Sequence, residues 1–241
     1  MIVGLLHPGE MGSAIGAALQ SAGHEIVWAS AGRSEATRSR ASTFRDLGSV
    51  EDVAREAQVV LSVCPPHAAL DVARAVSGDA LYVDANAISP ARAREVAALR
   101  PRFVDGGIVG PPPHAAGETR LYLSGERAGE VASLFEGSIV ETRLVPDASA
   151  VKMAYAAWSK GTAAMLLAIR DVARHYGIEE ELAAEWRDSV PGLPDRLASA
   201  ERSAAKKGWR WVGEMEEIAD TFAAAGEPDG FHRAAAEVFR S

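Results

Sequence analysis

Lys152, Tyr155 and Ser159 stand three and four residues apart inside a stretch otherwise rich in Ala, Leu and Met. On a helix of 3.6 residues per turn this spacing places the three side chains on one stripe. A polar stripe on an apolar helix marks a wet or working face rather than core. An amine desolvated in a cleft holds its proton less tightly. Lys152 therefore has the chemistry of a general acid or base, with Tyr155 and Ser159 beside it. Such a group lowers the barrier wherever negative charge develops on a carbonyl oxygen. The competing reading of Lys152 is a solvated lysine on a helix exterior. Lys160 falls about 80° further round the same helix, at the edge of any cleft that this face lines.

A second constellation opens the chain. An apolar run over 2–6 leads into His7-Pro8-Gly9-Glu10-Met11-Gly12, and a helical pattern follows with Gly16 inside it. Glycine lets backbone approach a pyrophosphate, and a helix N-terminus offers unbonded N–H groups and positive dipole. The formal dinucleotide motif G-x-G-x-x-G is broken, because His7 occupies its first glycine position. The strand–turn–helix setting nevertheless makes His7, Pro8, Gly9, Glu10 and Met11 the expected phosphate loop, with His7 contributing backbone rather than acting as a base.

The second strand of such a fold ends beside the adenosine ribose, where a carboxylate favours NAD. Here the run over 25–30 ends at Trp28-Ala29-Ser30 and continues Ala31-Gly32-Arg33-Ser34, with no carboxylate before Glu35. Ser30, Arg33 and Ser34 suit a 2′-phosphate through charge-assisted hydrogen bonds, so NADP(H) is the expected cofactor. Asn86, at the end of a later strand, can both donate and accept. It is a candidate for the nicotinamide amide or for substrate.

These residues need a scaffold, and the sequence provides its rhythm. Short runs rich in Val, Ile and Leu at 2–6, 25–30, 59–63, 81–84 and 103–105 alternate with helical patterns. Ser49 with Asp52, and Ser89 with Pro90, give helix-start signals. Alternation of this kind predicts βαβ units and a parallel sheet buried on both faces. Two more strands are expected at 120–124 and 138–144, with a short helix near 128–135 between them. After Pro146 the texture changes. A stretch over 147–176 without proline predicts one long helix, stopped by Gly177. Shorter helices follow, broken at 191–194, 207–208 and 226–230. The fold class expected is α/β: a Rossmann-type, doubly wound, mostly parallel sheet over 1–146, then an all-α domain over 147–241 for substrate and dimer contacts.

Composition narrows the function. The 241 residues carry 25 basic and 33 acidic side chains, a net −8, which argues against a nucleic-acid partner. Cys64 is the only cysteine, so no disulfide forms within the chain and a cysteine-rich metal site is excluded. No metal ligand set is expected. The start of the chain has no secretory pattern, and no long uncharged apolar run reads as a membrane span. A cytoplasmic protein that meets no membrane is the expectation.

The opening GLLHPGEMGSAIGAAL resembles that of the β-hydroxyacid dehydrogenase superfamily, which includes 3-hydroxyisobutyrate and 6-phosphogluconate dehydrogenases and the imine reductases. Val59-Val60-Leu61-Ser62-Val63-Cys64-Pro65-Pro66 is similar to the family's fourth strand and its proline-containing exit. By this resemblance Cys64, Pro65 and Pro66 lie over the nicotinamide. Asp84-Ala85-Asn86-Ala87-Ile88-Ser89-Pro90 resembles the D-x-S-T-x-x-P segment, with Asn86 at the serine. Asp105-Gly106-Gly107-Ile108-Val109-Gly110 is similar to the substrate stretch that ends in Ser-Gly-Gly, and it implies substrate contacts from Ile108, Val109 and Gly110. Lys152-Met153 opens the long helix where the family places its catalytic lysine, which also touches substrate. The end of the chain, over 210–218, resembles a branch with a short phosphogluconate-dehydrogenase-like helical domain.

The chain departs from the pattern at Val109 and Pro111, which replace the serine and second glycine of the substrate stretch. It departs again at Ala156, where the family usually has asparagine. The resemblance implies an NADP(H)-dependent oxidoreductase acting on a small hydroxy or carbonyl compound, a hydroxyacid by default. An imine or ketone reductase and a catalytically silent nucleotide sensor are the alternatives. A homodimer through the helical domain is expected, because the long helix is apolar around much of its circumference. The segment 211–225, with Glu214 and Glu217 on one face, is the candidate to reach the partner's cleft.

Overall fold

The computed structural model of the chain describes residues 1–240. It divides into two compact units, Met1–Lys152 and Met153–Ser241. In the first, β1 (Ile2–Leu6), α1 (Glu10–Ser21), β2 (Glu25–Trp28), α2 (Glu35–Arg40), β3 (Arg45–Asp46), α3 (Val50–Glu56) and β4 (Val59–Ser62) form one half of a doubly wound sheet. The other half contains α4 (Ala69–Ala75), β5 (Leu81–Asp84), α5 (Pro90–Leu99) and β6 (Phe103–Val109), and β7 (Arg120–Ser124), α6 (Ala128–Ser133) and β8 (Glu141–Leu144) extend its edge. Strand order is β3-β2-β1-β4-β5-β6-β7-β8, and every neighbouring pair is parallel except β6 with β7.

Alternation along the strands explains the two cores. Successive side chains point to opposite faces, so Val59 and Leu61 join Ile15 and Leu19 of α1 on one side. Val60 joins Val53 of α3 and Ala73 of α4 on the other. Burial on both faces is what a parallel sheet requires of its strands. Ser49 and Ser89 cap α3 and α5 by accepting the N–H groups of Asp52 and Arg92.

Several boundaries differ from the sequence expectation. β2 stops at Trp28 rather than 30, because Ser30 turns inward to bind another loop. β8 starts at Glu141 rather than 138. β6 runs beyond 105 to Val109, because Gly106 and Gly107 remain extended and pair with Leu123 and Tyr122 of β7.

Two further differences concern the helical unit. The helix α7 (Ala148–Tyr176) starts in the first unit and continues into the second, where α8 (Glu179–Ser189), α9 (Leu193–Ala224) and α10 (Gly230–Arg240) follow. The boundary between units thus falls inside α7, past its first turn, rather than at 146. The break expected at 207–208 is absent, and α9 runs unbroken through Gly208. One mid-helix glycine costs about 1 kcal/mol. The packing of α9 against α10 offsets that cost, with Met215 and Ile218 buried and Trp211 set edge-on to Phe239. Among the described residues no helix is long and apolar enough to cross a membrane.

Candidate functional site

Parallel register brings the carboxyl ends of β1, β4, β5 and β6 to one edge. Leu6 pairs with Ser62, Ser62 with Asp84, and Asp84 with Asp105. Ligands of open α/β sheets bind outside this edge, where the strand order reverses between β1 and β4. The expected cofactor and substrate segments all leave from it.

The β1–α1 turn is tight. His7 has φ of 64°, in the left-handed region, and its carbonyl accepts the Gly9 N–H at 2.7 Å. A Cβ on Gly12 would lie 2.6 Å from the same carbonyl, so only glycine lets α1 begin against this turn. Gly9 is the opposite case: nothing lies within 4 Å of where its Cβ would be. That leaves open space at the N-terminus of α1, where helical geometry leaves N–H groups without helical acceptors. Burial, together with the positive charge of Arg33, lowers the His7 pKa to about 4. The ring is therefore neutral near pH 7, and its buried Nδ1 has no hydrogen-bond partner.

The exit of β2 gathers Ser30, Arg33 and Ser34, but their roles differ. Ser30 is buried, and its N–H donates to Asp46 Oδ1 at 3.1 Å while its carbonyl accepts from Arg38 at 2.9 Å. Ser34 caps α2 by accepting the Thr37 N–H. Ser30 is thus engaged inside the protein through its backbone, while the Ser34 hydroxyl caps α2 at the exposed surface. Arg33 is the residue of the three suited to an outside anion, and its buried Nε has no hydrogen-bond partner. Sequence inspection missed Asp46. The pairing of β3 with β2 sets it opposite Trp28, yet it does not stand as a ribose-binding carboxylate. Burial disfavours its charge, but bonds from Ser30 and Gly48 and the nearby Arg38 outweigh that and hold its pKa low. Its Oδ1 is shared between the Ser30 and Gly48 N–H groups.

Asn86 requires a correction. It is 2% exposed, and its Nδ2 donates to Asp84 Oδ2 at 2.9 Å and to Ser62 Oγ at 3.2 Å. Its Oδ1 accepts the Cys64 N–H at 2.5 Å. Both amide hydrogens are thus committed, and the side chain ties the β5 exit to the Cys64-Pro65-Pro66 turn rather than reaching nicotinamide or substrate. Burial pushes the Cys64 thiol up to about 12, so it stays protonated. Burial also raises the Asp84 pKa to about 7, with the neighbouring Asp105 adding to the rise and Asn86 opposing it.

The joint between β6 and α7 places the lysine. Asp105 accepts from Ser149 Oγ at 2.6 Å and from Ser149 N–H at 2.8 Å. Ser124 links to the same cluster, donating to Asp105 at 3.0 Å and accepting the Ala148 N–H at 3.0 Å. These bonds satisfy the first turn of α7, whose donors have no helical acceptors. Gly107 permits the close approach, since a Cβ there would sit 2.6 Å from the Ala148 carbonyl and 2.9 Å from Lys152 Cβ. Lys152 Nζ then donates to the Ile108 carbonyl at 2.7 Å. Ile108 and Val109 are buried, and exposed Gly110 has φ of 119°. The structure thus joins Lys152 to the expected substrate stretch.

Tyr155 and Ser159 belong to the second unit. Tyr155 is exposed, and Ser159 donates to the Ala156 carbonyl at 3.4 Å. Lys160, expected at a cleft edge, is instead ion-paired with Glu214 at 2.7 Å within the helical unit. Glu217 and His232 are buried in that unit too.

The edge of the first unit fits a dinucleotide. It offers open space over Gly9, a helix N-terminus and a guanidinium with a buried, unpaired N–H.

A family model described as NADP oxidoreductase, coenzyme F420-dependent, matches residues 2–88, and a domain of unknown function, DUF1932, matches residues 173–241. A curated relative from Methanothermus fervidus, the uncharacterized 28.5 kDa protein in the 7S RNA 5′ region, is 30% identical over 162 residues. That match spans 63% of this chain and 62% of the relative, so it covers less than two thirds of the relative's length. The conserved protein MTH1747, whose structure was described as similar to 3-hydroxyacid dehydrogenases, is 29% identical with a TM-score of 0.72. That alignment covers 100% of this chain and 96% of MTH1747. A 3-hydroxyisobutyrate dehydrogenase from Salmonella typhimurium shares the fold at a TM-score of 0.75 and 18% identity, over 100% of this chain and 93% of its own.

Proposed function

We propose that this chain, which belongs to the β-hydroxyacid dehydrogenase superfamily, is an NADP(H)-dependent oxidoreductase of small hydroxy or carbonyl compounds with Lys152 as its general acid and base. The observation that carries the reading is the Lys152 amine, held at 2.7 Å on the Ile108 carbonyl at the same sheet edge as the Gly9 loop. When bound, the dinucleotide supplies or accepts hydride at the substrate carbon. The protein's part is proton transfer. In reduction the Lys152 ammonium gives a proton to the oxygen as negative charge grows there, and in oxidation the amine takes it back. Asp105 and Ser149 fix the helix start, so the amine is positioned before substrate arrives.

Arg33 would pair with the 2′-phosphate, and the α1 N-terminus with the pyrophosphate. The neutral His7 ring adds no charge there. Titrating the protein with NADPH and NADH by fluorescence tests this assignment. NADPH binds more tightly, and Arg33→Ala weakens it roughly ten- to hundred-fold, the worth of one charge-assisted hydrogen bond. NADH affinity stays within a few-fold. Equal affinities for both cofactors, unchanged in the variant, would remove the 2′-phosphate assignment.

The same reading makes the protein a cytoplasmic homodimer. Support for a second copy comes from α7, where Tyr155, Trp158, Met165, Ile169, Val172 and Tyr176 are all more than a third exposed. With Thr162 they repeat every three or four residues, the spacing of a helix-pairing seam. The lone cysteine, buried as a protonated thiol, suits a reducing compartment.

A further inference from the structure

We infer that the substrate is uncharged around its carbonyl, a ketone or aldehyde (or its alcohol) rather than a carboxylate- or phosphate-bearing compound. The inference rests on the reading of Lys152 as proton donor, and it names the substrate class for that site. The chain leaving Ile108, the residue that holds the Lys152 amine, offers almost nothing to an anion. Residues 111–113 are three consecutive prolines, which have no N–H to donate. The next two donors, the His114 and Ala115 N–H groups, are both bound to Glu118 Oε2, at 3.0 and 3.1 Å. From 111 to 115 the backbone therefore has no donor left for a substrate.

The loop also carries negative charge of its own. The bonds from His114 and Ala115 hold the Glu118 pKa below the ordinary carboxylate range, so the group is ionised at neutral pH. The Glu118 backbone runs close to the end of β6, its carbonyl oxygen 2.2 Å from where a Cβ on Gly110 would stand. The Thr119 hydroxyl, a further donor, is spent on the Pro111 carbonyl at 2.5 Å. The cation registered opposite Val109, Arg120, lies 3.5 Å from Glu141 and donates to the Gly117 carbonyl at 3.4 Å.

The stretch that holds the amine is itself apolar, with Ile108 and Val109 both buried. A desolvated carboxylate needs several donors to replace its water. Residues 111–115 supply none, and Lys152 is the group whose proton the carbonyl oxygen requires. A carboxylate would therefore occupy the acid instead of being positioned by its neighbours.

The test is a matched panel of 2-oxo acids of increasing chain length, each compared with its methyl ester and with the methyl ketone of the same skeleton. Turnover is followed by NADPH oxidation, and binding by quenching of NADPH fluorescence in the loaded protein. The expected result is kcat/KM roughly tenfold or more higher for the neutral member of each pair, with binding in the same order. Preference for the acids would overturn the inference and leave the oxidoreductase reading intact. Hydride transfer to no member of the panel would overturn both. Replacing Pro111 and Pro112 with glycine restores two N–H groups and should shift the ratio toward the acid. A ratio unmoved in a variant that melts cooperatively would overturn the inference, and if the variant fails to fold the wild-type ratio decides.

Discussion

Adding one methyl group at Gly107 tests how the fold places its acid. In Gly107→Ala the new Cβ would stand 2.6 Å from the Ala148 carbonyl oxygen. Restoring an ordinary contact of about 3.4 Å requires the start of α7 to retreat by about 0.8 Å. The Asp105–Ser149 bonds, at 2.6 and 2.8 Å, would then stretch past about 3.2 Å, the limit of a good hydrogen bond. Overpacking costs about 1–3 kcal/mol, and a weakened buried bond to a charged group adds about 1–2 kcal/mol. A loss of about 2–5 kcal/mol should appear as a lower urea midpoint with an unchanged slope. Lys152 moves with the helix, and a displacement of about 1 Å costs roughly 10²-fold in turnover. NADPH affinity should barely change, because the Gly9 loop is untouched. Gly106→Ala is the internal control: its Cβ would meet the Asp84 carbonyl at 2.9 Å, straining the sheet edge rather than the helix. Gly107→Ala with wild-type stability and turnover would refute the idea that this close approach positions the lysine. So would an equal loss of turnover in both variants.

Lys152→Ala should lower turnover by roughly 10²–10⁴-fold with little change in NADPH affinity; near-normal turnover would pass the proton to Tyr155 or to water. Burial raises the folded Asp84 pKa to about 7, above the carboxylate's ordinary value. Its contribution to stability is therefore full when the group is protonated at low pH and is lost as pH rises through about 7. The loss is on the order of a few kcal/mol. Asp105 is raised as well and acts in the same direction. In urea titrations between pH 5 and 8, Asp84→Asn should flatten the decline in midpoint, and parallel curves for the two proteins would contradict the assignment. Light scattering should give twice the mass of one chain, and Ile169→Asp, in the middle of the α7 seam, should give a monomer; a wild-type monomer with full activity would end the dimer reading.

Much of the scaffold was legible because its signals are local. Short continuous apolar runs, serine caps followed by Asp or Pro, and the jump to helical spacing after Pro146 depend on neighbours a few residues apart. They gave the alternating strands and helices, the tight turn at His7–Gly9 and the long helix carrying Lys152. Gly208 misled for the same reason, since a local breaker signal says nothing of the α10 packing that carries the helix through it. The partners of side chains were not legible. Asn86 has the right chemistry for a ligand, but the register of β4 with β5 spends its amide on Ser62 and Asp84. Asp46 lies on a strand of two residues, too short to show a period, and reaches Ser30 only because β3 pairs with β2. Lys160 is polar on a helix face in the sequence, and only the fold of the helical unit gives it Glu214, 54 residues on. The sequence by itself therefore determined which elements form and where donors, acceptors and glycines stand along them. Only the tertiary structure decided which polar groups are already satisfied, because Asp105 and Ser149, 44 residues apart, meet through strand order and helix approach, which no local spacing encodes.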